Sequence, residues 1–229
     1  MAKKGNSRHM KALNSPDYLF IERKAHGAYV AKPTPGRHKL DRCITLKLFA
    51  VKAGVVTGSM EAAKAIKAGD MTVNGKAVKD PSYPIGINDV IEIVPSKKTY
   101  VIGINERGQV SISEQGKEGR HQHIYRVTGK YRTKGNALMF RLHDGSSVSA
   151  KKAAKVNDSI ILEKDGSVSE VVPLKVGAEC LVIDGVHVGM KGKVTELKPG
   201  NMHTTASVVI AQSSGSKFET LVNNIMVIL

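Results

Sequence analysis

The sequence predicts an α+β protein of several small domains behind a basic N-terminal extension. Residues 40–94 read as two short helices feeding a compact hairpin, and the residues from 96 onward read as runs of short strands. The charge is strongly basic, with 35 Lys and Arg against 20 Asp and Glu in 229 residues, a formal net charge of +15. A chain of this length holds about two or three small cores.

The stretch 40–95 has the most regular pattern. After Arg42, apolar residues fall at Ile44, Leu48, Val51 and Val55, a helical spacing that also places Cys43 on the helix, with Gly54 weakening its end. Thr57-Gly58-Ser59 supplies cap residues. The good helix formers Met60 to Ala68 follow, stopped by Gly69. Met71-Thr72-Val73 reads as a strand, and Asn74-Gly75 is a strong hairpin signal, because a type I′ turn needs positive φ at both positions. Lys76-Ala77-Val78 returns, 80–84 is a loop, 86–89 a turn, and Val90 to Val94 a further strand.

That order of elements resembles the S-four-type α/β RNA-binding domain, in which a helix pair precedes "V-N-G-K", a loop and "G-x-x-D-x-I". The matching residues are Val73-Asn74-Gly75-Lys76 and Gly86-Ile87-Asn88-Asp89-Val90-Ile91. The resemblance implies that the helix pair presents basic residues to RNA. The candidates are Arg37, Lys39 and Arg42 ahead of the first helix, Lys47 on it, Lys64 and Lys67 three apart on the second, and Lys76 on the hairpin.

Residues 1–39 carry nine basic residues against Asp17 and Glu22, a side-chain sum of +7, and Pro16, Pro33 and Pro35 interrupt any long element. So little apolar surface predicts an extension that is unstructured alone and orders on a polyanion, with Lys3, Lys4, Arg8, Lys11, Arg23 and Lys24 meeting phosphates. Tyr18-Leu19-Phe20-Ile21 is its one apolar cluster and its candidate anchor.

Residues 96–173 predict a small β domain. Short strands at 100–104, 110–112, 124–127, 137–142 and 159–162 are bounded by Gly, Asn or Asp. Arg120, Arg126, Lys130, Arg132 and Lys134 alternate with aromatic residues there and are further RNA-binding candidates. His121 and His123 lack partners for a metal site, and His143-Asp144-Gly145 reads as a turn after a strand rather than as a proton relay.

Residues 174–229 predict a second all-β unit. The run from Asp184 to Val194 resembles a KOW motif, with Gly185, Gly189 and Gly192 as its structural turn residues and Lys191 and Lys193 bracketing Gly192 as RNA-binding candidates. The resemblance implies a small five-stranded barrel of Src-homology-3 type. As a whole, the order of domains 1–39, 40–95, 96–173 and 174–229 resembles the e-type family of small-subunit ribosomal protein four found in archaea and eukaryotes. Supporting pieces are Arg37-His38-Lys39-Leu40, Leu142-His143-Asp144-Gly145, Asn157-Asp158-Ser159-Ile160 and Val176-Gly177. The end of the chain directly after its last strand predicts an archaeal source.

The family resemblance implies a structural, non-catalytic constituent of the small ribosomal subunit that binds folded small-subunit rRNA beside neighbouring ribosomal proteins in the cytoplasm. The net charge of +15 agrees, since a polyanion neutralised by Lys and Arg releases its counterions. An RNA-binding appendage of an RNA-modifying enzyme is one alternative, but it needs a convergent acid, base or nucleophile that residues 96–229 do not present. A KOW-type transcription or translation factor is the other. Cys43 and Cys180 are isolated and predict buried thiols in a reducing compartment. No metal, cofactor, small-molecule substrate or membrane span is expected. With Trp absent and aromatic residues at 4%, broad base-stacking platforms are not expected either.

Overall fold

The structure, a computed structural model, describes residues 7, 9–21, 27–115, 123–149, 152–163, 166–212 and 215–228. The chain divides into two compact units. The first comprises residues 1–103 and 109–119, the second 104–108 and 120–229.

In the first unit, strand β1 (Met10–Lys11) pairs antiparallel with β2 (Tyr29–Val30), and a short 3-10 turn, Asp17–Leu19, lies between them. Met10, Ala12, Leu19 and Val30 enter the same core as the residues that follow. The reading of residues 1–39 as an extension without a fold of its own is therefore corrected over this stretch. Its apolar cluster is too small to make a core, but it docks on one made elsewhere. The Lys52 ammonium fastens it, donating to the carbonyls of Leu19 and Phe20. Desolvation beside these carbonyls lowers the Lys52 pKa.

The first helix begins later than the apolar spacing predicts. Ile44 lies in β3 (Ile44–Thr45), Cys43 precedes that strand, and α1 is Leu46–Lys52. Thr45 sets the start, because its side chain accepts from the Leu48 amide at 3.2 Å and caps the helix. Helix α2 is Ser59–Ala68, closed by Gly69 in the left-handed conformation. Thr57 binds the Glu61 carboxylate through both its amide and its hydroxyl ahead of the first turn.

Strands β4 (Met71–Val73), β5 (Lys76–Ala77), β6 (Pro84–Ile85), β7 (Val90–Ile93), β8 (Lys98–Ile104) and β9 (Val110–Gln115) follow. Strand β6 pairs with β3, and the others form one sheet in the order β5-β4-β7-β8-β9. This sheet does not stop at residue 95. Val90 to Ile93 fold back through a tight turn onto Lys98 to Val101, so β8 continues the β4–β7 ladder. Phe49 of α1 meets Tyr100 of β8 edge to face at 5.7 Å over the core.

In the second unit, β10 (His123–Arg132), β11 (Leu138–Leu142), β12 (Ser147–Ser149), β13 (Ser159–Leu162) and β14 (Val168–Val172) form a sheet ordered β12-β11-β10-β13-β14. Tyr125, Val127, Phe140, Leu142 and Ile160 are its core. Strands β15 (Glu179–Val182), β16 (Lys191–Lys198), β17 (Ser207–Ala211), β18 (Lys217–Leu221) and β19 (Ile225–Val227) form another, ordered β18-β17-β16-β15-β19. Among the described residues the ladder runs from β18 to β19 and does not close on itself. Cys180, Val182, Val194, Val208, Ile210 and Ile225 fill its core. The two sheets are tied by the Val227 amide, which donates to the Ser159 hydroxyl at 3.0 Å.

Candidate nucleic-acid interface

Residues 73–91 present a short polar network that holds the hairpin. Asn74 and Gly75 both have positive φ, 50° and 76°, the geometry of a type I′ turn. A Cβ on Gly75 would meet nothing within 4 Å, so the requirement for glycine there is one of backbone conformation alone. The Asn74 side chain reaches across to the next strand. Its amide nitrogen donates to Asp89 Oδ1 at 2.7 Å, and its Oδ1 accepts from the Val90 amide at 2.9 Å.

Asp89 is buried, and its other oxygen accepts from the Gly86 amide at 2.9 Å and bonds His38 Nε2 at 2.7 Å. Burial disfavours the Asp89 charge. The His38 hydrogen bond, the charges of His38 and Arg37, and the Gly86 amide outweigh that cost and hold its pKa below the ordinary value. The imidazole lies flat against Gly86, where a Cβ would fall 2.6 Å from two ring carbons. The segment around residue 38 is thereby locked onto the hairpin end of the sheet. The family motif marked Asn74 and Asp89 in the sequence, but His38, which bonds Asp89, was not among the candidate residues. Its signal was the Gly-x-x-Asp spacing, which supplies a side-chain gap and a carboxylate together.

Around this network the candidate cations are exposed to different degrees. On α2, Ala62 and Ile66 are buried while Lys64 and Lys67 face solvent. Lys76 is exposed at the hairpin, and Lys39 and Lys11 are exposed on the preceding segment. Arg37, Arg42 and Lys47 are half-buried. Lys3, Lys4, Arg8, Arg23, Lys24 and Arg120 lie outside the described residues.

In the second unit, Lys130, Arg132 and Lys134 are exposed on the β10–β11 hairpin and Lys191 and Lys193 on β16. Lys193 stands 3.6 Å from Glu179, a pair exposed on both sides and of small energetic weight. Arg126 departs from the candidate set. It is 9% exposed and donates to the Asn223 carbonyl, and burial lowers its pKa. It joins the two sheets instead of facing a ligand. Neighbouring basic and aromatic residues suggested otherwise, and the partner that buries it lies 97 positions away.

The glycines of the 185–192 loop serve two geometries. Gly185 and Gly189 have positive φ, and a side chain on Gly189 would collide with the Asn105 carbonyl. Gly192 lies within β16, where a Cβ would fall 2.5 Å from the Ala211 carbonyl oxygen of the neighbouring strand.

Asp144 and His143 make local contacts within the second unit. Asp144 accepts from the amide and hydroxyl of Ser146 at 2.9 and 2.7 Å, and His143 Nδ1 accepts from the Arg126 amide at 3.2 Å. Burial pushes the Cys43 thiol up to about 12 and the Cys180 thiol up to about 11. Among the described residues no three His, Cys, Asp or Glu side chains gather in a metal-binding arrangement, and no helix is long and apolar enough to cross a membrane. His121 lies outside the described residues.

Residues 4–41 match the RS4NT (NUC023) domain and residues 51–91 match the S4 domain. The chain is 30% identical over 231 residues to small ribosomal subunit protein eS4 of Staphylothermus marinus, covering 96% of this chain and 91% of that protein. It is 31% identical over 221 residues to small ribosomal subunit protein eS4 of Methanospirillum hungatei, covering 93% and 90%. Its fold is similar to the crystal structure of the 30S ribosomal protein S4e from Thermoplasma acidophilum, with a TM-score of 0.68, 24% identity and coverage of 82% of this chain and 95% of that one. By the identity and coverage shared with these relatives, the chain belongs to the small ribosomal subunit protein eS4 family.

Proposed function

We propose that the protein is a structural, non-catalytic constituent of the small ribosomal subunit, working in the cytoplasm on the ribosome. It binds folded small-subunit rRNA beside neighbouring ribosomal proteins and so supports assembly and translation. One observation carries the RNA contact. In an S4 domain held rigid by the Asn74–Asp89–His38 network, the second helix buries Ala62 and Ile66 and turns Lys64 and Lys67 to solvent, with Lys76 exposed on the hairpin. Lysines on a rigid scaffold neutralise phosphates and set register without reading base sequence. Lys11, Lys39, Lys130, Arg132, Lys134, Lys191 and Lys193 extend the contact over the rest of the chain, and Lys3, Lys4, Arg8, Arg23, Lys24 and Arg120 add to it.

We read the division of the chain as extension, S-four domain, central β domain and KOW unit, the last of Src-homology-3 type. The meander β15 to β18, with β19 returning beside β15, supports that reading. Sedimentation of a cell extract tests the function. The protein sediments with the small subunit at physiological salt. Recovery at the top of the gradient, or with an enzyme that modifies RNA, contradicts the proposal.

A further inference from the structure

The β10–β11 hairpin has two unlike faces. On the inner face Phe140 is fully buried, with the Lys130 ammonium 5.7 Å from its ring centre. On the outer face Tyr131 stands opposite Met139, and Gly129 opposite Arg141. Tyr131 is 39% exposed, Arg141 is exposed, and a Cβ on Gly129 would meet nothing within 4 Å. The missing side chain leaves an open notch between Tyr131, two residues along the same strand, and Arg141, directly opposite on the neighbouring strand. The two are diagonal neighbours of an antiparallel pair, so they lie roughly 7–8 Å apart. That gap fits one planar ring with a stacking partner on each side.

The notch is held in place. The register of β10 on β11 shifts between Val127 and Gly129, and the Thr128 hydroxyl at that shift donates to the Arg141 carbonyl at 3.0 Å. Its electrostatics select the occupant. From residue 123 to residue 143 there are five Lys and Arg and no Asp or Glu. With Arg126 turned inward, four cations remain on the hairpin.

We propose that this notch takes one unpaired RNA base, stacked between Tyr131 and Arg141, while Lys134 at the hairpin tip meets the backbone phosphate of the same strand. The inference rests on the rRNA-binding reading and adds to it a single-base site that phosphate neutralisation alone does not predict. A paired base cannot enter, because its faces are already covered by its neighbours in the stack, so the site distinguishes bulged or looped RNA from a regular helix. An aromatic ring and an Arg plane accept any base, so the preference is for being unpaired and not for sequence.

The test uses the full chain with two RNA stem-loops, one carrying a single bulged 2-aminopurine and one fully paired. The wild-type protein quenches the 2-aminopurine and favours the bulged stem. Tyr131→Ala weakens binding to the bulged stem on the order of tenfold and abolishes the quenching, with the paired stem and the melting temperature unchanged. Tyr131→Phe keeps the preference, because the ring and not the hydroxyl stacks. Lys134→Ala weakens both stems equally and lowers the salt slope by about one. If both stems bind with a steep salt dependence and Tyr131→Ala is silent, this inference falls and the rRNA reading stands. If neither stem binds, both fall. Tyr131-dependent binding of a poly-glutamate peptide without binding of the bulged stem also overturns the inference, in favour of an acidic protein partner.

Discussion

His38 Nε2 stands 2.7 Å from Asp89 Oδ2, and both side chains are almost wholly buried. This contact joins the segment matched by the N-terminal family model to the hairpin of the S4 domain. A buried carboxylate that holds His38, Asn74 and the Gly86 amide cannot lose its charge or shape without leaving donors unsatisfied. Asp89→Ala therefore destabilises the first unit by about 3–5 kcal/mol. Chemical denaturation checks it, and a loss below about 1 kcal/mol would show that the network carries little of the stability.

The same carboxylate sets a pH dependence. Its folded pKa lies below the ordinary carboxylate value, near 3.9 in model peptides. The unfolded state therefore binds the proton more readily. The stabilisation is fully present above that value and is lost as pH falls through and below it. Between neutral pH and about pH 5, Asp89 makes the stability of the first unit no more pH-dependent, whereas below about pH 4 it contributes to acid unfolding. Asp89→Asn flattens the acid limb of stability against pH, and an unchanged limb would contradict the assignment.

Gly86 and His38 give a coupling that a double-mutant cycle reads. Gly86→Ala drives a methyl into the imidazole, and the overpacking costs about 1–3 kcal/mol. In a His38→Ala background that clash is gone, so the two substitutions are non-additive by a similar amount. Additive effects would mean that the ring does not pack on Gly86.

Leu19 is 1% exposed in the core of the first unit. Leu19→Ala lowers its stability by about 2–5 kcal/mol, and the amides of Leu19 and Phe20, bonded to the Pro16 and Asp17 carbonyls, are protected from exchange in the free protein. Exchange at the rate of an unstructured peptide would restore the picture of a free extension.

Which parts of the fold were legible follows from how local their causes are. The hairpin at Asn74-Gly75 and the stop at Gly69 are set by one or two residues whose backbone preferences do not depend on the rest of the chain. The start of α1 was blurred because Ile44 continues the helical apolar spacing while pairing with Ile85, forty-one positions on. Leu19 was unreadable as core because the surface it covers is built from residues beyond 40. Arg126 and Lys130 look alike in sequence. Only the fold shows that one bonds a distant carbonyl inside the second unit while the other lies exposed.

The salt dependence of rRNA binding tests the central claim most directly. Measured for the full chain with small-subunit rRNA, log K against log salt falls with a slope of about −6 or steeper, reflecting at least about six neutralised phosphates. A slope near zero would contradict an interface built on exposed lysines and arginines.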